Sequence, residues 1–310
     1  MTRADDDTWD ITQSVGATAF GCAEWRARES EHEHPLFADP YAQFFLDEAT
    51  TRGGSSVIHT NLFPWLHQNH PHLLRQVLAV GAYNGSRTKW FDDFFTAAGA
   101  TVAQAVILAA GLDARAWRLP WKPGTAVYEI DQPAVLAFKT ETLRSHEAEP
   151  VARYIAVGID LRQDWPKALC DAGFNPNQPT AWSAEGLMAY LPATAQDLLF
   201  DRIHGLSATG SCIAVDAITA AFYQPENVAR LKAFYDELRH AVIEGGDDMP
   251  EFPALWYKEE RTEVADWLQQ HGWHVEAIGV HDMMARYERA VSEEEAVGIP
   301  ECVLVTGRLD

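Results

Sequence analysis

From residue 103 onward, short apolar runs recur along the chain, and each is followed by a connection long enough to hold a helix. Continuous apolar strands joined in this way are typical of a parallel sheet that is covered by helices on both faces. The last two runs, WHVEAIGV and ECVLVTGRL, are expected to form an antiparallel pair at the sheet edge. The pattern predicts strands at residues 103–111, 125–131, 153–161, 180–187, 211–218, 273–280 and 301–309.

The first hundred residues lack this pattern and predict helices instead. One helix is expected to follow Ser14, which is a suitable N-cap residue, and another to begin at Asp39-Pro40. Two more are predicted on either side of a break at Gly85 and Ser86, because glycine and serine together interrupt the helical pattern.

A long helix is also predicted in the connection between the fifth and sixth strands. We expect residues 1–310 to form a single α/β domain. Residues 1–100 and 220–260 are expected to cover the carboxyl edge of its sheet as a helical cap, because no linker or low-complexity tract divides the chain.

Charge and cysteine content restrict the possible partners and the compartment. The chain has 24 lysines and arginines against 45 aspartates and glutamates, a net charge of −21. This charge argues against nucleic acid and against anionic membrane surfaces, so we expect a small-molecule or protein partner. The four scattered cysteines and the acidic start MTRADDDTWD predict a cytoplasmic protein with reduced thiols.

The ends of the first two predicted strands indicate a cofactor that contains a nucleoside. The first strand leads into the turn Ala109-Ala110-Gly111-Leu112-Asp113, where Gly111 would let a ligand approach the backbone. Glu129 and Asp131 follow about twenty residues later, at the end of the second strand. An acidic residue at this place is well positioned to accept hydrogen bonds from ribose hydroxyl groups.

The same turn favours S-adenosyl-L-methionine over a dinucleotide. A dinucleotide site uses G-x-G-x-x-G to hold a pyrophosphate, whereas this turn reads A-A-G-L-D-A and carries the Asp113 carboxylate. S-adenosyl-L-methionine has no phosphate and carries a sulfonium cation, so an acidic turn suits it better. A nicotinamide-dependent oxidoreductase and a non-catalytic protein that binds S-adenosyl-L-methionine are the alternatives.

The third and fourth predicted strands add polar residues to the same edge. Asp160 could accept a hydrogen bond from an adenine amino group, and Leu161 could pack against the ring. Glu185 follows the fourth strand, near the middle of the edge. Ligands of open α/β sheets bind at this edge, so we expect these residues to face one pocket.

Several longer runs resemble the leucine carboxyl methyltransferase family, and most closely its actinobacterial branch of S-adenosyl-L-methionine-dependent methyltransferases. They are DPYAQFFL, SRTKWFDDFF, VILAAGLDARAWRLPW, VYEIDQP, DLRQDWPKAL and PTAWSAEGLMAYLP, and the likeness around them extends over most of the chain. The resemblance implies a class I methyltransferase fold, a Rossmann-like sheet with a helical cap. It also implies an O-methylated product formed on a carboxyl or hydroxyl group of a small or peptide-like acceptor.

The resemblance further implies roles for individual residues. Two basic residues would meet the carboxylate of the cofactor, Gly111 would form the first turn, and acids would bind ribose and adenine. The strand ends and the resemblance together give the expected cofactor-binding residues Arg28, Arg87, Gly111, Glu129, Asp131, Asp160, Leu161 and Glu185, and between Glu129 and Asp131 the resemblance favours Asp131. The chain departs from the family at Ala109, where an additional glycine is common.

Each of these residues also has a structural interpretation. Asp131 could cap the helix that begins at Pro133, Asp160 could stabilise a turn, and Arg87 could pair with Asp92 or Asp93 on its own helix. Histidines cluster in H-x-H and H-x-x-H-x-H spacings without cysteine or carboxylate partners, so no metal site is expected; they are His32, His34, His59, His67, His70 and His72.

The chemistry of methyl transfer requires little from the protein. An ionised carboxylate acceptor needs no general base at neutral pH, whereas a hydroxyl acceptor would need a base. The sequence alone identifies no catalytic residue.

Overall fold

The computed structural model of the protein describes residues 15–52, 62–244 and 256–310. Its centre is a seven-stranded sheet with the order β3-β2-β1-β4-β5-β7-β6, in which β1 to β5 are parallel and β7 is antiparallel to both β5 and β6. The strands are β1 (Gln104–Leu108), β2 (Ala126–Asp131), β3 (Arg153–Gly158), β4 (Thr180–Ala184), β5 (Cys212–Ile218), β6 (Trp273–Gly279) and β7 (Cys302–Leu309).

This topology confirms the predicted α/β fold and the antiparallel pair at the C-terminal edge. The strand order reverses at β1, which lies between β2 and β4. The carboxyl ends of these strands therefore open onto one crevice, which is where ligands of open α/β sheets bind.

Eleven helices surround the sheet in the described part of the chain. They are α1 (Val15–Ser30), α2 (Ala42–Thr51), α3 (Leu62–Asn69), α4 (Pro71–Ala98), α5 (Arg115–Arg118), α6 (Pro133–Ser145), α7 (Trp165–Asp171), α8 (Ala193–Gly205), α9 (Pro225–Glu244), α10 (Val264–Gln270) and α11 (Val280–Arg286). The predicted cap residue Ser14 lies outside the described residues. Helix α2 begins just after the predicted start, and the Asp39 carboxylate accepts hydrogen bonds from the backbone N–H groups of Tyr41 and Ala42.

Helix α4 runs unbroken across Gly85 and Ser86, so the predicted break at these residues is wrong. A Cβ atom at Gly81 would lie 2.5 Å from the ring of Trp25, and one at Gly85 would lie 2.9 Å from the Glu29 carboxylate. The two glycines are one turn apart on α4 and face α1. They allow the two helices to pack closely, and this contact explains their presence inside a helix.

Both faces of the sheet are buried at its centre, whereas the edge strands β3 and β6 are partly exposed. In β1, Val106 and Leu108 belong to the apolar cluster on one face, together with Trp182, whereas Ala105 and Ile107 belong to the cluster on the other face. This arrangement accounts for the uninterrupted apolar runs in the sequence, because neither face of the strand meets water.

Helix α9 packs against α3 and α4, and its Leu231 also joins the apolar cluster on one face of the sheet. Phe234 and Leu238 of α9 form a separate apolar cluster with Leu66 of α3 and with Leu73 and Val77 of α4. The long connection between β5 and β6 is therefore held against the N-terminal helices.

Candidate active site

A cavity of about 560 Å³ lies at the carboxyl edge of the sheet. Its walls come from the segments that follow β1, β2, β3 and β4, and from helix α1. We call it the first cavity. Six of the eight predicted site residues line this cavity. Five of them follow the four strand ends and the sixth belongs to α4; they are Gly111, Asp131, Asp160, Leu161 and Glu185, and Arg87.

The turn after β1 is fastened to the end of β2. Gly111 has φ +50°, a conformation that glycine adopts without strain, and its N–H donates a hydrogen bond of 2.7 Å to Oδ2 of Asp131. The backbone N–H of Gln132 donates to Oδ1 of the same carboxylate at 2.6 Å. Burial raises the pKa of Asp131, although these two hydrogen bonds oppose the shift. Each oxygen keeps acceptor capacity for a further donor from the cavity.

Asp160 follows β3 and takes part in a local turn. Its carboxylate accepts hydrogen bonds from the backbone N–H of Arg162 at 2.8 Å and from its guanidinium at 2.7 and 3.0 Å. The side-chain amide of Gln132 donates to it at 3.2 Å. Burial alone would raise the pKa of Asp160, but the contacts with Arg162 lower it below its ordinary value. The predicted turn interpretation is thus part of its role, and the residue also faces the cavity.

Glu185 follows β4 and is held between two arginines. It accepts hydrogen bonds from Nε of Arg87 at 3.0 Å and from Nη1 of Arg115 at 2.8 Å. Burial opposes ionisation of this carboxylate, but Arg115 and Arg87 outweigh it and lower its pKa. Arg87 does not pair with Asp92 or Asp93, its neighbours on α4. It reaches across to Glu185 and to Asp216 of β5, whose Oδ2 lies 3.4 Å from its Nη1.

Arg115 connects most of the charges behind the cavity, and it was not among the residues predicted from the sequence. Its guanidinium donates to Asp92 at 2.7 Å, to Asp113 and to Glu185, and it is 2 % exposed. Burial would lower the pKa of Arg115, but these carboxylates raise it well above its ordinary value. The available signal was its position directly after the first turn, at the start of a helix, beside the acid Asp113.

Arg28 lines neither the first cavity nor a second cavity that adjoins it. Its guanidinium lies 3.1 Å from the Glu24 carboxylate and 3.9 Å from the centre of the Phe63 ring. Arg26 lines the first cavity instead, where it pairs with Asp39 at 2.8 Å. Residues two apart on a helix point in nearly opposite directions, so the motif alone did not fix which arginine faces inward.

Glu129 also lies away from the cavity. Its side chain is completely buried beneath α6, where it forms an ion pair with Lys139, which is equally buried. Burial raises the pKa of Glu129 to about 7 even though Lys139 opposes the shift. Asp131 and Glu129 lie on the same side of β2, but only Asp131 is close enough to the strand end to reach the cavity.

A second cavity, of about 240 Å³, adjoins the first. The two share a wall made of residues from α1, α4 and the segment after β4, namely Thr18, Cys22, Arg87, Gly186, Leu187 and Tyr190. Away from this wall the second cavity is lined mainly by apolar and aromatic side chains of α3, α4, α9 and the ends of β5 and β7. The two cavities are therefore direct neighbours with these residues in common.

Among the residues described, no group of three histidine, cysteine, aspartate or glutamate side chains lies close enough to hold a metal ion, and no helix is long and apolar enough to cross a membrane. His59 lies outside these residues.

Known proteins show which family has this sequence and fold. The family model for leucine carboxyl methyltransferase matches residues 19–204. A protein of Mycobacterium marinum named "Putative S-adenosyl-L-methionine-dependent methyltransferase" is 47% identical over 315 residues, which cover 99% of each chain. A protein of Mycobacterium tuberculosis with the same name is 46% identical over 310 residues, again covering 99% of each chain.

A crystal structure of a DUF574 family protein from Streptomyces avermitilis aligns with 93% of this chain and 97% of its own, with a TM-score of 0.49 and 14% identity. The fold class rests on the strand order described above and not on this similarity.

The fold and the comparisons define a class I methyltransferase that uses S-adenosyl-L-methionine as its cofactor. The chain belongs to the leucine carboxyl methyltransferase family, as its sequence motifs predict.

The groups in the first cavity suit this cofactor. Its lining includes Asp113, Asp131, Asp160 and Glu185, and all four carboxylates accept hydrogen bonds from backbone N–H groups or arginines that stabilise their ionised forms. Five arginines line the same cavity and balance these charges, namely Arg26, Arg87, Arg115, Arg118 and Arg162. The spare acceptor capacity of the carboxylates suits the hydroxyl and amino groups of the cofactor, and the arginines suit its carboxylate.

Proposed function

We propose that the protein transfers a methyl group from S-adenosyl-L-methionine to an oxygen atom of a small or peptide-like acceptor, on a carboxyl or a hydroxyl group. The observation that carries this proposal is the pair of adjoining cavities at the carboxyl edge of the sheet. The first cavity is lined by most of the charged side chains and would hold the cofactor, whereas only Arg87 and Asp216 are charged among the residues of the second, which would hold the acceptor. The shared wall would then be the place of methyl transfer.

Six residues are proposed to hold the cofactor. Asp131 would accept hydrogen bonds from ribose hydroxyl groups, and the bare Cα of Gly111 would leave room for the ligand at the first turn. Asp160 and Leu161 would contact the adenine ring. Arg87 would meet the carboxylate of the cofactor, held in position by its hydrogen bond to Glu185. Arg28 and Glu129 are not part of this proposal, because their side chains lie elsewhere.

Methyl transfer is an in-line displacement, and the bound cofactor supplies a methyl group on a positively charged sulfur. The contribution of the chain is to align the acceptor with that methyl group and to exclude water. The turn after β1, the ends of the other strands and α1 enclose the first cavity, while α3, α4 and α9 enclose the second. We propose that these helices act as the cap of a single domain.

The four cysteines are free thiols, which supports a reducing, cytoplasmic environment.

The family relationship does not favour the nicotinamide-dependent alternative. Calorimetry with S-adenosyl-L-methionine, S-adenosylhomocysteine and NAD tests the oxidoreductase alternative, and binding of the first two but not of NAD supports the proposal. Transfer of a radiolabelled methyl group distinguishes an enzyme from a non-catalytic binding protein. Binding of NAD alone would contradict the proposal.

Replacing Asp131 with alanine is expected to weaken S-adenosyl-L-methionine binding by about 2 kcal/mol, a factor of about 30 in Kd, because a charged hydrogen-bond acceptor is lost. Asp171→Ala serves as the control, since Asp171 is an exposed aspartate outside both cavities. Calorimetric titration of both variants measures the effect. Equal affinity of Asp131→Ala and the parent protein would rule out the ribose assignment.

Replacing Arg87 with alanine is expected to weaken S-adenosyl-L-methionine by about 2 kcal/mol and adenosine much less, since adenosine has no carboxylate to pair with the guanidinium. Titration of the variant with each ligand measures the two losses. If both ligands lose the same affinity, Arg87 supports the cavity wall and does not contact the cofactor.

A further inference from the structure

The second cavity is almost without net charge. Only Arg87 and Asp216 carry a formal charge among the described residues that line it, and they face each other at 3.4 Å. The remaining lining is neutral, and much of it is aromatic: Trp25, Tyr83, Phe222, Phe234, Tyr235 and Trp256. The cavity is therefore suited to a compact apolar molecule with a polar group directed toward the shared wall.

An ionised carboxylate would be poorly accommodated here. The guanidinium of Arg87 already donates to Glu185, to Asp216 and to the Tyr83 hydroxyl, and its Nη2 lies 3.6 Å from Sγ of Cys22. The proposed function assigns its remaining capacity to the carboxylate of the cofactor, which leaves none for an acceptor carboxylate. Among the described residues that line the second cavity, Arg87 is the only lysine or arginine. Burying an anion without a free cation is costly, so a neutral acceptor fits better.

Asp216 is placed where an acceptor's proton must be removed. It lies near the carboxyl end of β5 and lines the second cavity beside two residues of the shared wall, Arg87 and Gly186. Its Oδ1 accepts a hydrogen bond of 2.6 Å from the N–H of Gly186, whereas Oδ2 makes only the long contact to Arg87. The Oδ2 atom thus retains acceptor capacity toward the cavity. Burial raises the pKa of this carboxyl, which makes its ionised form a stronger base.

We propose that the acceptor is a neutral hydroxyl compound with an aromatic or similarly apolar body, and that Asp216 is the general base. This inference rests on the proposed function and narrows it to hydroxyl acceptors. The hydroxyl oxygen attacks the methyl carbon, so that a C–O bond forms while the C–S bond breaks. The bonding electron pair returns to sulfur, which becomes a neutral thioether, and the hydroxyl proton moves to Oδ2 of Asp216 and then to solvent.

The first experiment compares 2-naphthol with 2-naphthoate, two probes of similar apolar body that differ in charge at neutral pH. We expect 2-naphthol to bind the protein saturated with S-adenosylhomocysteine at least ten times more tightly than 2-naphthoate, and only 2-naphthol to be methylated. Calorimetry and radiolabelled methyl transfer measure the two results. Equal or tighter binding of the naphthoate, formation of its methyl ester, or binding of neither probe would overturn the proposal.

The second experiment tests Asp216 by the pH dependence of 2-naphthol methylation. The kcat/KM of the parent protein is expected to rise with pH as Asp216 ionises, which gives an ascending limb in the pH profile. Asp216→Asn is expected to lower kcat/KM by about 100-fold or more and to abolish that limb. The charged and titratable groups that face Asp216 are Arg87 and Tyr83 of α4, Glu185 after β4 and Cys302 of β7. Persistence of the limb in the variant would assign it to one of these and overturn the role of Asp216.

Two controls separate this inference from the proposed function. Asp236→Asn changes an exposed aspartate of α9 that lines neither cavity, and it should leave both the rate and the pH profile unchanged. Binding of S-adenosylhomocysteine is measured in every variant and should change by less than twofold in Asp216→Asn. If the parent protein does not bind S-adenosylhomocysteine, the proposed cofactor site is refuted. If it binds S-adenosylhomocysteine but does not prefer 2-naphthol, only the acceptor class is refuted.

Discussion

Replacing Lys139 with methionine is expected to lower the free energy of unfolding by about 3–5 kcal/mol at pH 8, because the wholly buried Glu129 would lose its only described cationic partner. The deficit should be smaller at pH 5. Burial already raises the pKa of Glu129 to about 7, above its ordinary value, so this group favours folding most below pH 4.5 and loses that contribution as the pH rises through 7. Without Lys139 its pKa rises further, and the carboxyl is neutral at pH 5.

Urea denaturation at pH 5 and pH 8 measures this difference. The double variant Glu129→Leu with Lys139→Met should recover most of the loss, because an apolar pair replaces a buried ion pair. Lys232→Met removes one partner of an exposed pair on α9 and should cost less than about 0.5 kcal/mol. Equal deficits at the two pH values would show that Lys139 contributes through packing and not through its charge.

Replacing Arg115 with methionine is expected to be similarly damaging, with a loss of about 3–5 kcal/mol at pH 7. The variant leaves Asp113 without its guanidinium partner and removes one of two arginines from both Asp92 and Glu185. In the parent protein, Arg115 contributes to the lowered pKa values of Asp113 and Glu185, a contribution to stability that is present above their unfolded pKa values and lost as the pH falls. The variant should therefore lose less stability than the parent on acidification from pH 6 to pH 3.

Denaturant unfolding over this pH range checks the result. Arg115→Lys should restore part of the loss, because lysine restores the charge but cannot make the several directed hydrogen bonds of a guanidinium. Arg308→Met changes an arginine that is well exposed on β7 and should have almost no effect. A loss below about 1 kcal/mol for Arg115→Met would mean that the remaining arginines compensate for it.

The sequence patterns predicted the sheet well because β1 to β5 depend on local composition. A strand buried on both faces needs an unbroken apolar run, and each run ended within a few residues of a strand end. The helix break was wrong for a different reason. Gly85 lies against the Glu29 carboxylate of α1, one turn after Gly81, which lies against the ring of Trp25; these contacts are a property of two helices and not of the local sequence.

The candidate site was predictable where a residue sits at a strand end and not where it depends on distant partners. Asp131 and Glu185 reach the first cavity because the ends of parallel strands converge. Two partners of Arg115, Asp92 and Glu185, lie 23 and 70 positions away in the sequence, so no sequence spacing predicts these contacts. Asp216 carried a weaker signal, as the only acid inside the apolar run of the fifth strand.

Ala109 has a consequence for how the first loop can change during evolution. It is held at φ +50°, where an L-residue costs about 1–2 kcal/mol, while the neighbouring N–H groups of Ala110 and Gly111 bond to Ile130 and Asp131. Glycine at this position would release that energy, whereas a side chain branched at Cβ would increase it. Sequence drift at the position is therefore one-sided: the methyl group can be lost at a gain in stability, but it can hardly be enlarged.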